Sequence, residues 1–201
     1  AYEGVKEDHI LPTPGSGPVL MLTAFAYAKP GKNVVTTAMG YTQLTRAFTE
    51  HGGNVKFAPL GADMGYDFKA LSREIDENTT IVYICNPNNP TGVIADPAEL
   101  RRFILSVPQH ILVFVDEAYL ELSDTGLKAN TMAPLVKVRK NMIVSRTFSK
   151  AHGMAGLRAG YGVAQPEVLA NLRKYYTGGP SFLAAIAAQE AIKDTAHMEA
   201  N

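Results

Sequence analysis

Short runs of consecutive apolar residues limit the fold of this chain more than any other feature of its sequence. Residues 81–84 and 111–115 are apolar at every position. A strand with one face in solvent alternates apolar and polar residues, so an uninterrupted apolar run predicts a strand that is covered on both faces. Strands of this kind occur in parallel sheets that lie between two layers of helices.

Strand-like runs and helix-like stretches follow one another along the whole chain. Strands are predicted at 33–37, 55–60, 80–85, 111–116, 142–147 and 160–164, and helices at 18–28, 42–52, 68–75, 97–106, 166–176 and 181–194. Helix signals agree, because Asp96-Pro97 provides an N-cap and a proline at the first helical position. This order predicts an α/β fold, a three-layer α/β/α sandwich with a mainly parallel sheet.

Composition narrows the function classes. The 201 residues, 46% of them hydrophobic, are enough for one or at most two soluble domains. The 19 Lys and Arg balance the 19 Asp and Glu, so no nucleic-acid or membrane partner is expected. The single cysteine, Cys85, predicts neither a disulfide nor a zinc site, and therefore no metal and a cytoplasmic location. The longest apolar run, 19–28, is half of the ~20 residues that a membrane span needs.

Polar residues directly follow the apolar residues of three predicted strands. These segments are 86–92 (NPNNPTG), 116–119 (DEAY) and 145–150 (SRTFSK). Ligands of open α/β sheets bind beyond the carboxyl ends of the strands, so these residues are candidates for a binding site. A fourth segment, 14–17 (PGSG), precedes the first helix, where free backbone N–H groups and the helix dipole favour an anion such as phosphate.

These segments are followed by Gly-Leu-Arg at 156–158. In this order they resemble the motifs of the pyridoxal-phosphate (PLP) dependent aminotransferases of fold type I. The resemblance extends from about residue 10 to residue 192. The histidinol-phosphate aminotransferase-like branch is the most similar. The resemblance implies a sheet of about seven strands and makes residues 1–201 the PLP-binding large domain, without the N-terminal arm and the C-terminal small domain. It also implies a homodimer that takes an amino acid and a 2-oxo acid as substrates.

The resemblance assigns the chemistry to a few residues. Lys150 is implied to form a Schiff base with the cofactor and then to act as the base at the substrate Cα. Asp116 is implied to pair with the pyridine nitrogen, which offsets the cost of burying its carboxylate after an apolar run. Tyr119 and Asn89 are implied to donate hydrogen bonds to the phenolic oxygen of PLP. The proline-rich turn predicts a cis Asn89-Pro90 bond.

Other residues are implied to hold the cofactor without reacting. The phosphate cradle is predicted to consist of Gly15, Ser16, Gly17, Thr147, Ser149 and Arg158. Arginine suits this role because its planar fork binds two phosphate oxygens at once. Tyr41 resembles the aromatic residue that stacks on the pyridine ring. His152 lies close to Lys150 in sequence, but we expect it to pack rather than to react.

Three alternatives remain open at this point. Other fold-type-I enzymes, such as β-lyases, decarboxylases and amino-acid synthases, share the cofactor segments. A non-catalytic PLP-binding module is a second class, and we expect the 201 residues alone to be weakly active or inactive. A nucleotide-binding α/β domain is a third class, but neither a Gly-x-Gly-x-x-Gly motif after a strand nor a Gly-Lys-Ser or Gly-Lys-Thr motif occurs.

Overall fold

A single seven-stranded sheet forms the centre of the computed structural model, which describes residues 2–194 and 196–197. The strands are β1 (Ile10–Thr13), β2 (Asn33–Thr37), β3 (Asn54–Ala58), β4 (Thr79–Cys85), β5 (Leu112–Asp116), β6 (Met142–Thr147) and β7 (Gly160–Ala164). Their order across the sheet is β1-β7-β6-β5-β4-β2-β3. Strands β2 to β6 pair in parallel, whereas β7 is antiparallel to both β6 and β1.

Helices connect these strands. They are α1 (Gly17–Tyr27), α2 (Gln43–Glu50), α3 (Phe68–Glu74), α4 (Pro97–Ser106), α5 (Gly126–Asn130), α6 (Pro166–Arg173) and α7 (Phe182–Ala191). Short 3-10 turns occur at Glu7–His9, Leu120–Leu122, Ala133–Lys137 and Ala155–Leu157. Within the described residues, none of the helices is long and apolar enough to cross a membrane.

The predicted α/β class and the mainly parallel sheet are confirmed, and the six predicted strands correspond to β2 to β7. Strand β1 was not predicted. It has only four residues, one of them Pro12, and it pairs with β7 alone at the edge of the sheet. Such a segment is too short to show a periodicity of its own. Its pairing partner lies about 150 residues away in the chain, so no local pattern indicates it either.

Two apolar cores cover the two faces of the sheet. In β5, Leu112 and Phe114 pack on the face that α1, α2 and α6 cover, and Val113 and Val115 pack on the face that α3 and α4 cover. The run is apolar throughout because both faces are buried. Since successive side chains of a strand point to opposite faces, Asp116 continues the row on the α1 side.

Candidate functional site

A cavity of about 360 Å³ lies at the carboxyl ends of β4, β5 and β6, beside the N-terminus of α1. Parallel strands bring these ends to one edge of the sheet, so segments distant in sequence meet there. The cavity is lined by all of the predicted site residues except Gly15, namely Ser16, Gly17, Tyr41, Asn89, Asp116, Tyr119, Thr147, Ser149, Lys150 and Arg158. Lys150 and Asp116 therefore face one common space.

Asp116 provides a buried carboxylate in this cavity, and its side chain is only 2% exposed. Burial raises the pKa of Asp116 to about 6, although a hydrogen bond from Ser145, the Ala118 backbone and the charge of Lys150 all lower it. The Ser145 hydroxyl donates to Oδ1 at 2.7 Å. Among residues 2–194 and 196–197, Asp116 forms no ion pair within 4.0 Å. A cationic group of a ligand would offset the cost of this burial.

Ser145 lies in the candidate segment 145–150, but the sequence analysis assigned it no role of its own. It lies opposite Asp116 in the register of β5 and β6, and its hydroxyl points to the same face. The signal was present in the alternation of β6, because Ser145 shares its parity with Thr147, which lines the cavity. This alternation indicates a role for Ser145 only when β5 and β6 are known to be neighbours in that register.

Lys150, Tyr119 and Asn89 form the wall opposite α1. The ammonium of Lys150 lies 4.8 Å from the centre of the Tyr119 ring, a cation–π distance. The Asn89 Nδ2 atom donates to the Tyr119 hydroxyl at 3.5 Å. Strand β6 ends at Thr147, and Lys150 is exposed in the turn that follows it.

The turn that carries Asn89 is held firmly against its surroundings. Its Asn89-Pro90 peptide bond is cis, as predicted. The neighbouring Asn88 is buried and donates from Nδ2 to the Met39 carbonyl at 2.9 Å. Tyr66 lies behind the turn and donates from its hydroxyl to the Cys85 carbonyl at 3.0 Å. The position of Asn89 is therefore fixed through its neighbours.

Arg158 provides a second positive charge. One of its nitrogen atoms, Nη1, donates to the Ser149 hydroxyl at 3.3 Å and to the Ala155 carbonyl at 2.9 Å, and the other, Nη2, donates to the Pro14 carbonyl at 3.3 Å. No carboxylate of the described residues pairs with it within 4.0 Å. Its backbone is left-handed, with φ of 58°, a conformation that costs a non-glycine residue about 1 kcal/mol.

Gly15 lies behind the guanidinium of Arg158 rather than in the cavity wall. Its φ is +86°, and a Cβ atom at this position would lie 2.6 Å from Nη2 of Arg158. Only glycine combines this backbone conformation with such a close approach. Gly160 has a similar constraint, because a Cβ atom there would lie 2.4 Å from the Gly15 carbonyl carbon. These two glycines bring Arg158 to the beginning of α1.

Tyr41 stands at the open side of the cavity and is 38% exposed. Its hydroxyl donates to Gln43 Oε1 at 3.0 Å, and Gln43 Nε2 in turn donates to the Gly17 carbonyl at 3.5 Å. Burial and the nearby charge of Asp116 raise the pKa of Tyr41. Gln43 is a further cavity residue that the sequence analysis did not identify, because no local motif marks it.

His152 does not line the cavity. Its ring is buried and lies 4.8 Å from the Phe148 ring, in a tilted arrangement. This contact agrees with the expectation that His152 packs rather than reacts. Across the residues that the structure describes, no group of three or more His, Cys, Asp or Glu side chains is placed to hold a metal ion.

The charges in the cavity define the kind of ligand that it can hold. A buried carboxylate at Asp116 favours a cationic group, and Arg158 at the beginning of α1 favours an anionic group. Lys150 adds a primary amine that can react with a carbonyl group. The volume is within the range of about 300–1,000 Å³ that is usual for small-molecule sites.

Comparison with known proteins relates this site to a family. The sequence model of the family "Aminotransferase class I and II" matches residues 2–201. A histidinol-phosphate aminotransferase of Geobacillus thermodenitrificans is 40% identical over 166 residues, which are 83% of this chain and 45% of that enzyme. An aromatic amino acid aminotransferase of Mycolicibacterium smegmatis is 48% identical over 114 residues, which are 57% of this chain and 31% of that enzyme.

The fold is also similar to solved structures. The histidinol-phosphate aminotransferase of Sinorhizobium meliloti, solved in complex with pyridoxal-5'-phosphate, aligns with a TM-score of 0.88 and 28% identity, over 98% of this chain and 54% of that one. The chain thus spans about half the length of the relatives that it matches. The family match extends over nearly all of its residues. This chain therefore belongs to the class I and II aminotransferase family.

Proposed function

We propose that the protein is a PLP-dependent aminotransferase, which moves an amino group from an amino acid to a 2-oxo acid. One observation carries the proposal: Lys150, Asp116 and Arg158 line one cavity at the carboxyl edge of the sheet. A reactive amine, a buried carboxylate and a guanidinium match the aldehyde, the ring nitrogen and the phosphate of this cofactor.

The fit of PLP is supported by two charged groups that form no ion pair within 4.0 Å among the described residues. The buried Asp116 carboxylate accepts a hydrogen bond from Ser145 at 2.7 Å, and a protonated ring nitrogen would supply a cation beside it. Arg158 lies beside the N-terminus of α1, where a phosphate would bind. Pro18 has no N–H group, so the side chains of Ser149 and Thr147 are proposed to supply donors that α1 does not.

When bound, PLP supplies an electron sink that stabilises negative charge at the substrate Cα. We propose that Nζ of Lys150 would hold the cofactor through its aldehyde carbon and would also be the base for the proton on the substrate Cα. Tyr119 and Asn89 would donate hydrogen bonds to the phenolic oxygen. Asp116 would hold the proton of the ring nitrogen, and Tyr41 would pack against the ring.

The relatives suggest the class of substrate. Those with high identity are named for histidinol phosphate and for aromatic amino acids, whose side chains both contain a planar ring. We therefore propose a primary amine with a ring-bearing side chain as the amino donor and a 2-oxo acid as the acceptor.

A half-reaction tests this proposal. The purified intact protein with bound PLP is mixed with histidinol phosphate or with phenylalanine, and no acceptor is added. Transamination predicts that the donor becomes its oxo product while the bound cofactor gains the amino group, one for one. Release of ammonia, or of carbon dioxide, with the cofactor unchanged would contradict transamination and would indicate a lyase or a decarboxylase. A Lys150→Ala variant, expected to be inactive, is the control.

The arrangement of the intact protein is also part of the proposal. We propose that residues 1–201 are its PLP-binding large domain, and that it is a cytoplasmic homodimer. Support for a further contact surface comes from α7, where Phe182 is 80% and Leu183 73% exposed although both are apolar. Sedimentation of the intact protein would test the dimer, because a single monomeric species would contradict it.

A further inference from the structure

A buried charge cluster lies on the opposite face of the sheet from the cavity. Its centre is Arg146 of β6, which is 1% exposed. Its Nη2 atom lies 2.9 Å from Glu117 Oε2, and its Nη1 atom lies 3.1 Å from Glu121 Oε1. The Nε atom is 3.7 Å from Glu3. None of these four side chains lines the cavity that contains Lys150.

The two closest carboxylates of this cluster belong to the segment that carries Tyr119. Glu117 precedes Tyr119 by two residues, and Glu121 follows it by two. Glu117 is held further, because its carboxylate accepts from the Met132 backbone N–H at 2.6 Å and from the Thr131 hydroxyl at 3.0 Å. The segment is therefore fixed on both sides of Tyr119.

The chemistry of arginine suits this arrangement. Its guanidinium is a planar fork that can bind two carboxylates in different directions, whereas a lysine ammonium on its flexible stem is a point charge. Burial raises the pKa of Glu117 to about 7, and the charge of Arg146 opposes this rise. Loss of the guanidinium would leave two buried carboxylates without their cation, so the segment would have to move to hydrate them.

We propose that Arg146 is a positioning residue for Tyr119: by holding Glu117 and Glu121 it fixes the turn that presents the Tyr119 hydroxyl to the cofactor. The inference rests on the proposed function, since it assumes PLP in the cavity. Arg146 itself touches neither the cofactor nor the substrate. Its effect reaches the site only through the backbone of the segment 117–121.

The role of the Tyr119 hydroxyl can be measured through the absorption of the bound cofactor, which a change in fold stability alone would not alter. A hydrogen bond to the phenolic oxygen stabilises negative charge there and so weakens the hold of the neighbouring Lys150 nitrogen on its proton. Loss of that hydrogen bond raises the pH midpoint at which the absorption of the bound cofactor changes. For Tyr119→Phe the rise is expected to be about one pH unit.

The test is a pair of substitutions measured singly and together. Arg146→Lys is expected to raise the midpoint by about half a unit or more. In the Tyr119→Phe background it is expected to add nothing, because the group that it positions is absent. An unchanged midpoint in the single variant, or an equal rise in both backgrounds, would overturn the inference. If Arg146→Lys does not fold, Glu121→Gln decides by the same two criteria.

A matched control is available in Arg139, which is also fully buried. It donates to the carbonyls of Val107, Pro108 and Ile111, remote from the cavity. Arg139→Lys is expected to lower the melting temperature but to leave the midpoint unchanged, and a rise equal to that of Arg146→Lys would refute specific positioning.

If the wild-type protein itself binds no PLP, the proposed function fails, and that result is distinct from an unchanged midpoint in a protein that binds it.

Discussion

Replacement of Asp116 by asparagine is expected to stabilise the cofactor-free protein while weakening its binding of PLP. Asp116 is 2% exposed and forms no ion pair within 4.0 Å among the described residues, so its charge makes the folded state less stable. An asparagine side chain of the same shape removes that charge and can still accept the hydrogen bond from Ser145 through its oxygen. The same change removes the partner of the ring nitrogen, so affinity for PLP should fall by at least about tenfold.

The magnitude of the stabilisation follows from the pKa. Burial raises the pKa of Asp116 from 3.8 to about 6. The folded state therefore binds the proton more tightly than the unfolded state, and stability falls as pH rises from about 4 to about 6. A pKa shift of about two units corresponds to about 3 kcal/mol of folding stability, and this contribution is lost fully only above pH 6. Asp116→Asn should recover up to about 3 kcal/mol at pH 8 and under about 1 kcal/mol at pH 4.

Urea denaturation of the cofactor-free wild type and of Asp116→Asn, at several pH values between 4 and 8, measures this difference. Glu117 also titrates with a raised pKa of about 7, but it is present in both proteins and cancels in the comparison. The reasoning would be refuted if the variant were less stable at pH 8, or if the difference between the two proteins did not depend on pH.

Three further predictions concern other parts of the structure. Arg158→Lys should weaken PLP binding about tenfold in a spectroscopic titration, because the fork that binds two phosphate oxygens is lost; an unchanged affinity would contradict the assigned phosphate site. Gly15→Ala should lower stability by about 1 kcal/mol and also weaken binding, since its Cβ atom would displace Arg158, whereas unaltered binding would speak against this contact. Arg139→Met should cost about 2–4 kcal/mol in urea denaturation by removing the buried hydrogen bonds to the Val107 and Ile111 carbonyls, and a neutral effect would be inconsistent with those bonds.

Much of the fold could be predicted because the central strands β4 and β5 are buried on both faces and therefore contain uninterrupted apolar runs. β5 shows this most clearly, since each of its five residues is buried. β1 could not be predicted, because its pairing with β7 depends on contacts between distant parts of the chain. The predicted end of β3, at residue 60, was also two residues too late, because Leu60 forms an isolated bridge with Tyr66 outside the strand.

The difference between local sequence patterns and contacts of distant segments also explains which residues of the candidate site could be predicted. Asp116 directly follows an apolar run, and Asn89 and Lys150 lie in the polar segments that come after two other apolar runs, so a local reading of the sequence reaches them. Ser145 and Gln43 needed the register of β5 with β6 and the approach of α2 to α1, which no local motif encodes. Burial raises the pKa of Asp116 and the hydrogen bond from Ser145 opposes this rise, while the hydrogen bond to Gln43 holds Tyr41.

The central claim is that one lysine at the edge of the sheet bonds the cofactor while Asp116 faces it across the same cavity. Borohydride reduction of the PLP-loaded protein, followed by digestion and mass spectrometry, locates the bonded lysine. We predict that the reduced cofactor is found on the peptide that contains Lys150 and is absent from that peptide in Lys150→Ala. Labelling spread over several surface lysines, and equally strong in the variant, would contradict the account.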